Sequence, residues 1–134
     1  MRIIVRLLAM LAVLVVGVLV LQQIAAESGE VVVLTTVDAG GEAQTTRLWI
    51  VDLKDRQYLR AGMPQAGWYQ RLLANPSVKV RRGDMNRAYQ ATPELARVAE
   101  VNSLMGEKYG WANAYIGFLF GRAESVPVRL EPAP

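Results

Sequence analysis

From Leu7 to Leu21 the chain reads LLAMLAVLVVGVLVL, without a charge or a proline. No other stretch constrains the fold as strongly. A helix that crosses a bilayer needs about 20 apolar residues. Extending the run back to Ile3 nearly supplies them, with Arg6 the only charge. A long arginine near the end of a span reaches the headgroups by snorkelling. Two readings remain open. One is a transmembrane anchor. The other is a cleaved secretory signal with a basic start, an apolar core and small residues at its end. Ala25 and Ala26 suit such a signal, whereas Ile24 fits its small-residue rule poorly. Both readings divide the chain into a segment 1–26 and a folded unit 27–134. Arg2 and Arg6 precede the run, and the next basic residue is Arg47. The positive-inside rule therefore predicts that the folded unit lies on the outer, periplasmic or extracellular side.

The formal net charge of +3 says little about partners. Two of the 15 basic residues precede the apolar run, so the folded unit is nearly balanced against its 12 acidic residues. That excludes the electrostatic footprint of a nucleic-acid binder. The one basic run, Val78–Gly83 (VKVRRG), reads as a solvated strand end. The chain has no cysteine and no histidine. Disulfides, thiolate nucleophiles, His/Cys zinc sites and histidine bases are thereby excluded. Any chemistry falls to carboxylates or to a bound cofactor. Asp38, Glu42, Asp52 and Asp55 fall at turns and strand ends, where turn chemistry explains them.

The folded unit reads mostly as short strands separated by turn signals. Val and Thr dominate 30–38, a strand. Ala39–Glu42 form a Gly-Gly turn, and 43–53 returns as a second strand. Lys54-Asp55 make a tight turn into a third strand, 56–62. Trp68 and Tyr69 share a helix face with Leu72 and Leu73, four residues on. Pro76 stops that short helix at Asn75. Strands follow at 77–83 and 84–93. A helix is predicted from Thr92 or Pro93 to Gly110, with Leu95, Val98, Ala99, Val101, Leu104 and Met105 as its apolar stripe. The apolar segment 111–121 reads as helical or irregular, and 124–132 as a last strand. Pro127 restricts that strand to an edge, or else marks its first residues. Successive hairpins with inserted helices predict an α+β fold built on an antiparallel barrel.

The segment Trp68-Tyr69-x-x-Leu72-x-Ala74-Asn75-Pro76-x-Val78 resembles the deazaflavin-dependent nitroreductase family. The similarity extends through the flanking strands and the helix ending in KYGW, from about Val31 to Pro132. The resemblance implies a flavin-binding split β-barrel related to pyridoxamine phosphate oxidases. It also implies a redox cofactor, the deazaflavin coenzyme F-420 or FMN, that passes hydride to a small electrophile such as a quinone or nitro compound. In such proteins the cofactor carries the chemistry and the protein supplies position and electrostatics. The cofactor-binding expectation falls on Arg47, Arg60, Ala61, Gly62, Gln65 and Trp68. Tyr69, Tyr109, Trp111 and Tyr115 are expected on the substrate side. No catalytic side chain and no metal ligand is assigned. Where the family carries Ala-Ser-Lys-Gly-Gly, this chain has Arg60–Gln65 without the lysine, so Arg60 and Arg47 are the available phosphate partners. The family often forms homodimers. The second reading of the same residues is a non-catalytic, membrane-anchored barrel that binds a hydrophobic ligand or a protein partner.

Overall fold

A computed structural model of the chain describes residues 1–134. Helix α1 (Arg2–Ala26) leads into six strands, β1 (Val31–Val37), β2 (Ala43–Leu53), β3 (Arg56–Ala61), β4 (Ser77–Arg82), β5 (Met85–Pro93) and β6 (Val126–Pro132). They close into an antiparallel barrel in the order β1-β2-β3-β6-β5-β4. The short helix α2 (Gly67–Ala74) lies between β3 and β4. Helices α3 (Val98–Tyr109) and α4 (Trp111–Phe120) lie between β5 and β6. The fold is therefore α+β with a closed six-stranded barrel and four helices, the first of them the apolar N-terminal α1. The barrel predicted from the hairpin pattern is present.

The strand pattern has a direct cause. Along β1 every second residue is buried, which places Val32, Leu34 and Thr36 inside. This period of two lets one face fill the barrel. Val32, Leu34, Ile50, Leu59, Val80, Val128 and Leu130 meet there with Trp68, Tyr69 and Leu72 of α2. Helix α2 thus plugs one end of the barrel, and truncating Leu72 to alanine costs about 2–5 kcal/mol. Asn75, with φ of −139°, takes extended backbone and ends α2 ahead of Pro76, as expected.

The turns are specified locally. Asp38 Oδ1 accepts hydrogen bonds from the Gly40 and Glu42 amides at 2.9 and 3.0 Å, closing the β1–β2 turn. Lys54 and Asp55 both adopt positive φ, 51° and 67°. A two-residue hairpin with that backbone matches the strand twist.

One expectation needs correction. Pro93 is the last residue of β5 and not a helix start. A single 3₁₀ turn, Leu95–Arg97, intervenes before α3. Leu95 and Ala99 consequently face solvent, while Val101 and Met105 pack with Tyr109 on Val51 and Tyr58, outside the barrel. Pro127 lies at the start of β6, one of the two places expected for it. β6 is flanked by β3 and β5, and its β5 pairing ends at Val128. The missing N–H therefore falls just beyond the ladder.

The basic run at the end of β4 is not simply solvated. Arg82 donates to Glu30, Asp52 and Gln57 at 2.9–3.0 Å. Lys108 of α3 reaches the same Glu30 at 2.7 Å. This network ties the chain just after α1 to β2, β4 and α3.

Candidate functional site

A cleft of about 200 Å³ opens where α1 meets the barrel. Ala26 contributes the end of α1, while Arg47, Leu48 and Trp49 come from β2. Arg60 comes from the end of β3, Gly62 from just beyond it, Met105 from α3, Ile116 from α4, and Arg122 from just beyond α4. Strand alternation explains the β2 contribution. Ile50 and Leu48 turn toward the barrel core, so Arg47 and Trp49 point outward to the helices.

Arg60 defines the electrostatics. Its guanidinium donates to Asn102 Oδ1 at 3.1 Å and to Asn113 Oδ1 at 2.8 Å. Arg122 donates to the same Asn113 Oδ1 at 3.1 Å, and to the Asn113 carbonyl at 3.2 Å. Neither arginine has a carboxylate partner. Two cations thus share one neutral amide oxygen. Burial, and secondly the Arg122 charge, push the Arg60 guanidinium down to about 9. It keeps its proton at neutral pH. Burial also lowers Arg122. Arg122 Nε is buried and without a hydrogen-bond partner. A buried donor left unmade costs free energy.

Arg47 differs. Its guanidinium grips Glu27 at 2.7 and 2.9 Å, and both groups are exposed. Its charge is already answered.

The sequence-based candidates divide accordingly. The cleft brings together Arg47, Arg60 and Gly62. Ala61 is buried in the barrel core next to them, and Gln65 is exposed on the following loop. Trp68 and Tyr69 lie in the barrel interior and do not line the cleft, because α2 presents that face inward. Tyr109 stacks on Trp49 with ring centroids 4.3 Å apart. Its hydroxyl donates to the Glu30 carbonyl and accepts from the Ile50 amide. Trp111 is exposed at the start of α4, and the Tyr115 hydroxyl donates to the Val18 carbonyl of α1 at 3.1 Å.

Sequence reasoning missed Trp49, Asn102, Met105, Asn113, Ile116 and Arg122. One signal was available for Asn113. It is the only amide in the otherwise apolar helix WANAYIGFLF, and a buried polar group needs a partner.

No family model matches the chain, and no curated protein does. Solved structures do match. The F420-H2 dependent reductase FDR-A superposes with a TM-score of 0.59 at 25% identity, over 74% of this chain and 92% of that one. HutZ, the heme storage protein of Vibrio cholerae, has a TM-score of 0.60 at 17% identity, over 84% of this chain and 87% of that one. A domain-swapped dimer is 24% identical over 75% of this chain and 78% of that one, with a TM-score of 0.58. The fold is a split β-barrel. Proteins that share this split barrel differ in what they hold, so the cleft residues and not the fold must carry the functional argument.

The donors present suit the phosphate end of a flavin or deazaflavin. Arginine forks match phosphate geometry, and Gly62 leaves open space where a Cβ would stand. At about 200 Å³ the cleft is smaller than the ~300–1,000 Å³ of ordinary ligand pockets. It can hold a phosphate and part of a chain, while a tricyclic ring must extend beyond it.

Proposed function

We propose that this chain is a membrane-anchored split-barrel oxidoreductase of the deazaflavin- or FMN-dependent nitroreductase type. The observation that carries the reading is the pair Arg60 and Arg122, two cations on one amide oxygen with no carboxylate beside them. They hold the cofactor phosphate, aided by Arg47 when Glu27 releases it. The remaining cofactor candidates, Ala61, Gly62 and Gln65, lie on the end of β3 and the loop that follows, so they are placed to approach the phosphate. Trp68 acts indirectly, by seating α2 in the barrel. When bound, the cofactor supplies hydride to a small electrophile such as a quinone or nitro compound. The protein's own part is to bind, to orient and to exclude water. Trp49, Met105 and Ile116 form the apolar wall, and Tyr109 fixes Trp49 by stacking. Trp111 and Tyr115 stand on α4 outside the cleft lining, so they meet only a substrate that extends past the cleft.

The small cleft favours a homodimer in which a second copy covers the rest of the cofactor. A domain-swapped dimer of similar fold fits that arrangement. The anchor is retained and not cleaved. Ala25 is fully buried, and the Trp49 indole donates to the Ala26 carbonyl at 2.9 Å. Cleavage after Ala26 would remove both contacts. The barrel then lies outside the cytoplasmic face, as Arg2 and Arg6 direct. Intact mass of the membrane-extracted protein tests this part, since a mature chain starting at Glu27 overturns it.

The decisive experiment is titration of the full chain in detergent with FMN and with the deazaflavin, followed by absorbance and fluorescence. Saturable binding of either, weakened in Arg60→Gln and Arg122→Gln, supports the reading. Absence of binding by both sinks it. The second reading, a non-catalytic carrier of a hydrophobic ligand, draws on the apolar cleft wall and on the shared fold of a heme storage protein. It predicts ligand binding without turnover of any electron acceptor.

A further inference from the structure

Helix α4 carries no charged residue from Trp111 to Phe120. Its inner face is occupied: Ala112 is buried and Asn113 holds the two arginines. Its outer face is not. Trp111, 54% exposed, and Phe118, 87% exposed, lie seven residues apart on that face, and Phe120, 57% exposed, ends the helix on the opposite side. A helix apolar on nearly all sides is normally buried or in lipid, and a contiguous apolar patch of this kind marks a contact surface.

The position of α4 decides which contact. It packs against α1, and the Tyr115 hydroxyl reaches the carbonyl of Val18. Val18 lies three residues inside the end of the apolar run at Leu21, about 4–5 Å deep at 1.5 Å per residue. The outward face of α1 is unburied along its whole span. Whatever covers α1 at the level of Val18 therefore covers the neighbouring face of α4 as well. Helices that lie in a bilayer surface bury their apolar face about 5–10 Å, and the level of Val18 meets the shallow end of that range. Trp and Tyr favour the headgroup level, and Trp111 and Tyr115 stand on the same helix as Phe118.

We infer that α4 is itself a membrane-embedded helix, lying in the interface of the leaflet that α1 leaves, with Phe118 among the acyl chains. The barrel is then held to the bilayer at two places, and the arginine cleft between Ala26, Ile116 and Arg122 sits at headgroup level. The inference rests on α1 as an anchor, and the test reads the two separately.

The chain has no cysteine, so single reporters can be introduced without background. Phe118→Cys, Val13→Cys and Leu73→Cys are labelled with a nitroxide in the full chain. Each is reconstituted in nanodiscs of phosphatidylethanolamine and phosphatidylglycerol. Collision rates with oxygen and with a water-soluble nickel chelate report depth. Val13 marks the middle of α1, and Leu73, exposed on α2, marks the far end of the barrel. The expected result is an oxygen-to-nickel ratio at Phe118 several-fold above Leu73 and approaching Val13. A Phe118 ratio equal to that of Leu73, with Val13 still in lipid, overturns the inference and leaves the anchor standing. A low ratio at Val13 overturns both. Shielding of Phe118 from both reagents, with spin–spin broadening, means that a second copy covers α4 and likewise overturns it.

Discussion

Arg60 of β3 and Arg122 beyond α4 donate to the same oxygen, Asn113 Oδ1, at 2.8 and 3.1 Å. An amide cannot neutralise either cation. A carboxylate in its place would. Asn113→Asp is expected to pair with both arginines and to lower affinity for phosphate-bearing ligands. Loss of one charge-assisted contact is worth about 1.5–3 kcal/mol, or roughly 10–100-fold in Kd. Isothermal titration with FMN and with pyrophosphate measures it.

An anion that relieves the Arg60–Arg122 repulsion must stabilise the fold. Ligand present at 100 times its Kd adds about 2.7 kcal/mol. Pyrophosphate is therefore expected to raise Tm by several degrees in the native chain, and not in the Arg60→Gln/Arg122→Gln double variant. Differential scanning fluorimetry at fixed ionic strength separates this from general salt screening.

The Tyr109 hydroxyl satisfies the buried Ile50 amide and donates to the Glu30 carbonyl. Tyr109→Phe keeps the stack on Trp49 and removes only the hydroxyl. The orphaned amide costs about 1–3 kcal/mol. A Tm fall of roughly 5–15 °C is expected for a domain of this size. An unchanged Tm would mean that water replaces the hydroxyl.

Glycine 29 tests the same joint from the backbone. Gly29 has φ of +72°, and a Cβ there would stand 3.0 Å from Tyr109 Cδ1. Gly41 has φ of +81° with open space around it. Gly29→Ala should therefore destabilise more than Gly41→Ala, which carries only the positive-φ strain. Chemical denaturation of the pair checks the order.

The Glu30 carboxyl is held at about 2, first by hydrogen bonding to Arg82 and then to Lys108, against an ordinary value of 4.5. A depressed folded value means that this contribution is complete above about 4.5 and fades as pH falls toward 2. Acid unfolding is expected within that window. Glu30→Gln should be less stable at pH 7 and show a flatter stability profile below pH 4.5. Tm recorded against pH for both proteins tests the sign.

Much of the barrel was readable in the chain because its signals are local. Alternation in β1, the Gly-Gly turn at Gly40-Gly41 and the Asn75-Pro76 stop each act within a few residues. The start of α3 was misplaced for the opposite reason. Pro93 suits a helix start in isolation, but pairing with Val128 draws it into β5.

The apolar run of α1, the strand-and-turn order, and the absence of histidine and cysteine follow from the sequence alone. They determine a segment fit for a membrane and an antiparallel barrel, and they leave any chemistry to carboxylates or a bound cofactor. The cleft was decided by tertiary structure. Arg60 and Arg122 are distant in sequence, and only the docking of α3 and α4 on β2 and β3 brings Asn102 and Asn113 to them. Trp68 and Tyr69 show the same limit, since spacing places them on one helix face but cannot say where that face points. Closing the barrel leaves an open end, and the large apolar area of those rings is buried most completely by turning them into it.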